Sequence, residues 1–404
     1  MNAKSSALLR RTILFLMIFQ SIGLRLFQGI GISLLIAIFF LCLPKAKIMK
    51  AIKPFMYIEI VYLALAAIKS IEIKNIIINS AAIFDACLFI TMYRDYITLK
   101  NDLYQVLKIY CIQAFISIPV YFLIPSSAYI MLDPSEMPIT PRTFAFLFYY
   151  PMEASIIGYP RISGWCWEPG TFQLVANMFL LLKIIRKDSM KSMIWVVFVI
   201  LSTFSTLAYV CLLLNLVAAI WNGKRKIMMT FVIIVSIPLA SGIVISNFSE
   251  KFADDNVSGL IRKRDIYVGT QIMKDHPIVG YDYDNLKNST YGRNLEDVYW
   301  AATTLAGFTQ SNNVYYAGGY TNGFFSVLMT YGLIIGILIF YCIYRSPLFV
   351  KKREKICILL FWIVSLQSEQ VSVYCSFFYL FAMLGFEAIL ATRNSISTIK
   401  SANA

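Results

Sequence analysis

Apolar residues along this chain come in long runs separated by short polar stretches, and many runs approach the ~20 residues an α-helix needs to cross a ~30 Å hydrocarbon layer. The pattern predicts twelve helical spans, at residues 12–25, 27–43, 54–69, 75–93, 103–124, 168–185, 193–205, 206–221, 227–246, 320–344, 356–374 and 376–391. The first, third and seventh are short. Helices are expected because lipid offers no partner for backbone N–H and C=O groups. Two longer polar stretches interrupt the runs, at 125–167 and 247–319, and the second reads as helical from 258 to 273. The chain therefore divides into a block of about five spans (1–124), a loop (125–167), about four spans (168–246), a large loop (247–319), and about three spans with a tail (320–404). No internal repeat stands out.

Composition agrees with the pattern. Hydrophobic residues make up 59% of the chain and charged ones 14%, against about 25% charged in soluble proteins, so an all-α polytopic membrane protein is expected. The formal charge of +14 reads as a topology signal and not as a nucleic-acid site. PKAKIMKAIK, KIIRKDSMK, WNGKRK and RSPLFVKKREK all fall on one side of the membrane together with both termini. The positive-inside rule makes that side the cytoplasm and puts both long loops opposite. The first residues, MNAKSSALLRRTILFLMIFQ, resemble a secretory signal, but no A-x-A site follows and a second apolar run does, so a retained span is expected. Seven of the eight cysteines lie in apolar runs and read as core; Cys166 is expected to face water, without a disulfide or CxxC metal site. The spans carry no acidic or basic series like a proton relay, although Glu59, Asp85, Glu369 and Glu387 sit in or near them and need partners.

Candidate chemistry gathers on the outer face. In YPRISGWCWEPGTFQ, Arg161 and Glu168 flank Trp165 and Trp167 just before a span. One reading is an interfacial aromatic belt, with Glu168 and Pro169 opening a helix where a carboxylate suits the positive dipole end. The other is a carboxylate at a partly desolvated boundary that takes a proton from a hydroxyl, beside two sugar-stacking faces. In SGLIRKRDIYVGTQIMKDHPIVGY, the trio Arg262, Lys263 and Arg264 lies where cations are disfavoured, which points to an anionic partner; guanidinium groups fork onto phosphate oxygens. His276 is the only histidine, so multi-histidine metal sites are excluded and no metal is expected. A third patch, GGYTNGFFSVLMTYGLIIG, carries Tyr320, Thr321 and Asn322, with Gly332 and Gly336 spaced for close helix packing. Ser202, Ser205 and Thr206 mark an outer turn that could line the same cavity.

In this order the motifs resemble those of Wzy-type O-antigen and capsule polymerases and the related O-antigen ligases. The resemblance covers about 161–336. It rests on R-x-x-G-x-x-x-E-P at Arg161, Gly164, Glu168 and Pro169; on Ser205 and Thr206; on the arginine-bearing loop that ends in H-P-x-x-G-Y; and on T-N followed by a glycine ten residues after the Asn. It implies a GT-C-like inner-membrane glycosyltransferase without a nucleotide-sugar site or other cofactor. Such an enzyme joins oligosaccharide units carried on undecaprenyl pyrophosphate at the periplasmic face. Its partners are the lipid-linked donor and acceptor, membrane lipid, a chain-length regulator and a flippase. On this reading Arg161, Arg262 and Arg264 bind pyrophosphate, and Glu168 or His276 is the base. Trp165, Trp167, Tyr320 and Asn322 hold sugar. The ligases carry a histidine where this chain has Thr321, which favours the polymerase. A lipid-linked oligosaccharide flippase is the expectation from a different class.

Overall fold

The computed structural model describes residues 3–22, 28–69, 71, 73–131, 141–151, 155–156, 159–221, 257–281, 322–367 and 375–402. Helices α1 (Ala3–Ile22), α2 (Gln28–Cys42), α3 (Lys45–Lys69), α4 (Ile73–Ile90) and α5 (Tyr96–Leu123) lead into five short strands. These are β1 (Ile130–Met131), β2 (Pro141–Phe144), β3 (Phe148–Pro151), β4 (Ser155–Ile156) and β5 (Tyr159–Pro160). They pair antiparallel as β1-β2-β3 and β4-β5, with Thr143 opposite Tyr149 and Ile156 opposite Tyr159. Then come α6 (Pro169–Arg186), α7 (Met190–Leu201), α8 (Thr206–Trp221), α9 (Val257–Asp275), α10 (Gly323–Arg345), α11 (Lys352–Ser365) and α12 (Ser376–Ala402).

The protein is largely helical, as expected. Among the described residues, α3, α4, α5 and α10 are long and apolar enough to cross a membrane, and α7, α8 and 376–392 are shorter apolar helices. The expected span at 227–246 lies outside the described residues. Some boundaries move. α3 begins at Lys45 and carries Pro54 inside it, and α11 stops at Ser365. The expected helix within the large loop is α9, over Val257–Asp275.

α6 is the centre of the bundle. Every residue from Pro169 to Ile184 is buried, the polar Thr171, Gln173, Asn177 and Lys183 included. α5, α7, α8 and α11 pack around it, while α4 packs against α2, α3 and α12.

The bundle has two unlike ends. At one, the Nε atoms of Arg10 and Arg11 donate to the two oxygens of Asp102, at 2.9 and 2.7 Å. Nearby, the Tyr104 hydroxyl donates to Asp188 at 2.7 Å and Lys183 pairs with the same carboxylate at 3.1 Å. Arg186 donates to Asn101, and Arg353 to the Trp221 carbonyl. These contacts bring together the starts of α1, α5 and α11 and the ends of α6 and α8, so the basic segments around 183–191 and 345–355 share one end.

The other end is built from turns and a broken helix. α10 is interrupted at Gly332 (φ 73°, ψ 168°). Phe324 and Phe340 stand sixteen positions apart, about 24 Å along a straight helix, yet their ring centroids lie 5.3 Å apart. A Cβ at Gly336 would lie 3.4 Å from the Leu328 Cα. The chain therefore folds back at Gly332 into a helical hairpin of limbs 323–331 and 333–345, so α10 reaches span length only if its two limbs are added together.

Candidate functional site

The segment 161–168 is bonded to the ends of α1 and α7, with the Trp165 ring packed inside the bundle. Trp165 packs edge-on against Phe15 and Tyr110, at 5.3 and 5.4 Å, and its Nε1 donates to the Leu147 carbonyl at 3.0 Å. α5 continues thirteen residues beyond Tyr110, to Leu123, which is about 20 Å of helix. The segment thus descends into the bundle between α1, α5 and α6. Gly164 makes this possible. It takes the left-handed conformation (φ 58°), and a Cβ there would press within 3.1 Å of both Gln113 Oε1 and the Phe172 ring, where only glycine is unstrained. Cys166, expected to face water, is fully buried; the descent of its segment is the reason.

Four backbone bonds fix the segment. Ile162 N–H donates to the Ser202 carbonyl at 3.0 Å, and Cys166 N–H to the Ser163 carbonyl at 3.0 Å. Trp167 N–H donates to the Ile22 carbonyl at the end of α1, at 3.4 Å. Phe172 N–H donates to the Glu168 carbonyl at 3.1 Å, starting α6 with Pro169 at its first position, where a missing N–H costs nothing. The Arg161 Nε donates to the Thr203 carbonyl at 3.3 Å, and its charge is felt at the Tyr209 phenol of α8. The turn at Ser202, Ser205 and Thr206 therefore does stand beside the Arg161 segment.

Glu168 holds the N-cap position of α6 in extended conformation (φ −149°, ψ 161°) without a side-chain capping bond. Ser, Thr, Asn and Asp cap far better because their oxygens reach back to the first turn; this half-buried carboxylate instead keeps its accepting capacity. It borders Tyr149 of β3, whose hydroxyl donates to the Trp167 carbonyl at 3.3 Å. Burial, followed by the negative charge of Glu168, pushes the Tyr149 phenol far above its ordinary value.

His276 and Arg262 belong to a second assembly. α9 carries the half-buried Arg262 and packs Val268 and Ile272 against Met329 of α10. His276 follows the helix as an exposed residue whose ring lies 5.5 Å from that of Tyr281. The HPIVGY turn is clasped to the hairpin tip. Gly280 (φ 76°) and Gly332 approach so closely that a Cβ on either would overlap the other strand's backbone. Leu333 N–H, which in a continuous helix would serve Met329, donates to the Pro277 carbonyl at 2.8 Å. The carbonyls released by the break are recaptured. Met329 C=O accepts from Tyr281 N–H at 2.8 Å and Lys69 Nζ at 3.0 Å, and Thr330 C=O from Lys69 Nζ at 2.5 Å. Gly332, expected to serve helix packing, instead forms this turn. Gly385 takes the packing role, facing the Cys342 carbonyl so closely that no side chain fits.

Asn322 is buried at 1% exposure. Its Oδ1 accepts from Phe325 N–H as the cap of α10, at 3.1 Å, and its Nδ2 donates to Gln367 at 3.1 Å. Tyr320 and Thr321 lie outside the described residues, as does the side chain of Arg264. The structure therefore brings Arg161, Trp165, Trp167 and Glu168 into one segment, and places Arg262, His276 and Asn322 on the α9–α10 assembly.

Sequence reasoning missed Gln113, Tyr149 and Lys69. Gln113 was visible as a polar residue within an apolar run; the other two carry no local signal. It also missed an apolar cavity of about 280 Å³ among α3, α4, α10 and α12, with Tyr62, Tyr331, Ile335, Tyr379 and Met383 among its walls. A buried ring of hydrogen bonds adjoins that cavity. Asn79 Nδ2 donates to Tyr331, Tyr379 donates to Asn79 Oδ1, and the two phenols share a bond of 2.7 Å. Among the described residues no group of three His, Cys, Asp or Glu side chains could hold a metal. Compared with known proteins, the chain matches no family model, no curated protein and no solved structure.

Proposed function

We propose that this chain is a twelve-span glycosyltransferase of the bacterial inner membrane, with both termini in the cytoplasm. It polymerises oligosaccharide repeat units carried on undecaprenyl pyrophosphate at the periplasmic face. The observation that carries this reading is the joint placement of Arg161, Trp165, Trp167 and Glu168 in one tethered segment, at the end of the bundle opposite the ion-paired basic segments. A capping carboxylate that forms no cap bond is suited to take the proton of an acceptor hydroxyl as it attacks the donor sugar. Arg161, with Arg262 and Arg264 from α9, offsets the charge that grows on the departing pyrophosphate. Exposed edges of the two tryptophans offer faces for sugar rings, and the apolar cavity beside α10 offers room for part of a carrier-lipid chain. His276 is the second choice of base. A chain-length regulator and a flippase are the proposed protein partners.

A second reading, a lipid-linked oligosaccharide flippase, is favoured by one observation: Asp85 and Glu59 are buried within α4 and α3, as in proteins that move substrates through the bilayer. The two readings separate on a gel of surface polysaccharide from a strain lacking this gene. Polymerase loss leaves a single repeat unit at the cell surface, restored to a ladder by the wild-type gene. Flippase loss leaves no periplasmic product. A full ladder retained on the carrier lipid indicates a ligase.

A further inference from the structure

Asp85 is the one acidic side chain of α4, and it is fully buried. Neither of its carboxyl oxygens has a hydrogen-bond partner. Across the α4–α12 contact it faces Ser376, the first residue of α12, whose hydroxyl is also fully buried and unpartnered. Several ionisable groups described on the helices around it are engaged elsewhere. On α3, Glu59 accepts from Ser80 at 2.5 Å, and Lys69 donates to the α10 carbonyls. On α12, Tyr379 is bonded to Asn79, and Glu387 lies toward Lys50 and Cys87. The titratable side chain described on α2 is the exposed Cys42.

An ionised carboxylate in such surroundings would be left without water and without a cation, the most costly arrangement available to it. A carboxylic acid there has a use for its proton, because the Ser376 oxygen is free to accept it. The site also has an alternative state. If the proton leaves to water, the Ser376 hydroxyl can turn its own hydrogen toward the carboxylate. We propose that Asp85 and Ser376 form a buried proton-binding site, occupied at neutral pH, at the junction of α4 and α12. The exchange is Asp–COOH to Asp–COO⁻ with the proton passing to water, and it needs no other reactant.

The site is linked to the candidate active segment. Phe377 N–H, next to Ser376, donates to Ser21 Oγ at 3.3 Å, and the neighbouring Ile22 carbonyl accepts from Trp167 N–H. Loss of the proton would thus act on the same end of α1 that anchors Trp167.

The test is infrared spectroscopy of the full-length protein in lipid bilayers. Wild-type protein at neutral pH should show a protonated-carboxyl carbonyl band that moves on ¹³C labelling of aspartate and disappears in Asp85→Asn. Absence of any aspartate-dependent acid band in the labelled wild-type protein overturns the proposal, and this arm needs no variant to fold. A band that remains in Asp85→Asn overturns it as well.

Discussion

The two ends of the bundle solve the same problem by different means. At the basic end, helices finish inside a web of charge, with Arg10 and Arg11 on Asp102 and Lys183 on Asp188. At the opposite end, backbone groups released by turns and breaks are satisfied by other backbone groups and by Lys69. The first arrangement spends its polar capacity within the protein. The second leaves Glu168 uncapped, and it brings the first residues of α6, α8, α10 and α12 to the same end of the bundle. A helix start carries a positive dipole end. The contrast teaches that the ion-paired end is a frame, whereas the turn-built end keeps a half-buried carboxylate, Glu168, outside any cap bond.

The largest test of that contrast is at the hairpin tip. Gly332→Ala places a Cβ against the Ile278 backbone in a left-handed conformation, and should lower unfolding stability by about 4 kcal/mol or more. Denaturant titration in detergent would measure it. A loss below 1 kcal/mol would mean the clasp between α9 and α10 is not a fixed part of the fold. Next, Asp102→Asn leaves two arginines beside an uncharged side chain, one of them 16% exposed. A loss of about 3 kcal/mol is expected, and a neutral result would remove the frame from the account. Trp165→Phe keeps an aromatic against Phe15 and Tyr110 but drops the bond to the Leu147 carbonyl; it should cost about 1 kcal/mol. The smallest effect belongs to Asp95, the exposed N-cap of α5, whose carboxylate accepts from Thr98 N–H at 2.7 Å. Its hydrogen bonds to Thr98 hold its carboxyl below the usual range. The stability it contributes is therefore present above the ordinary carboxylate range and fades as pH falls through the lowered folded value. Asp95→Ala should lower stability slightly at neutral pH, where that contribution is fully present, and flatten the acid limb.

Much of the helical layout was legible, because long apolar runs have few other destinations. The pairing of basic segments at one end also followed from their positions. The failures have two physical origins, a local turn without the usual turn residues and contacts distant in sequence. β2 and β3 join through Ala145 and Phe146 at φ 53° and 56°, residues that carry none of the Asn-Gly signal of such turns. The fold-back at Gly332 looks, in sequence, like an ordinary glycine in an apolar run; its meaning comes from Gly280, far away in the chain. In the candidate site, Arg161, Glu168 and the tryptophans could be picked out from their motif. Their depth beside Tyr110 could not, nor could the burial of Cys166, because both follow from Gly164 fitting against Gln113 and Phe172.

The most direct test of the central claim is the surface-polysaccharide ladder in a gene-deleted strain expressing Glu168→Gln or Arg161→Ala. Protein abundance should match wild type, and melting should fall only slightly in Arg161→Ala, which loses the bond to the Thr203 carbonyl. The account predicts that each variant loses the ladder and leaves single repeat units. A normal ladder from both variants, at wild-type protein levels, would contradict it.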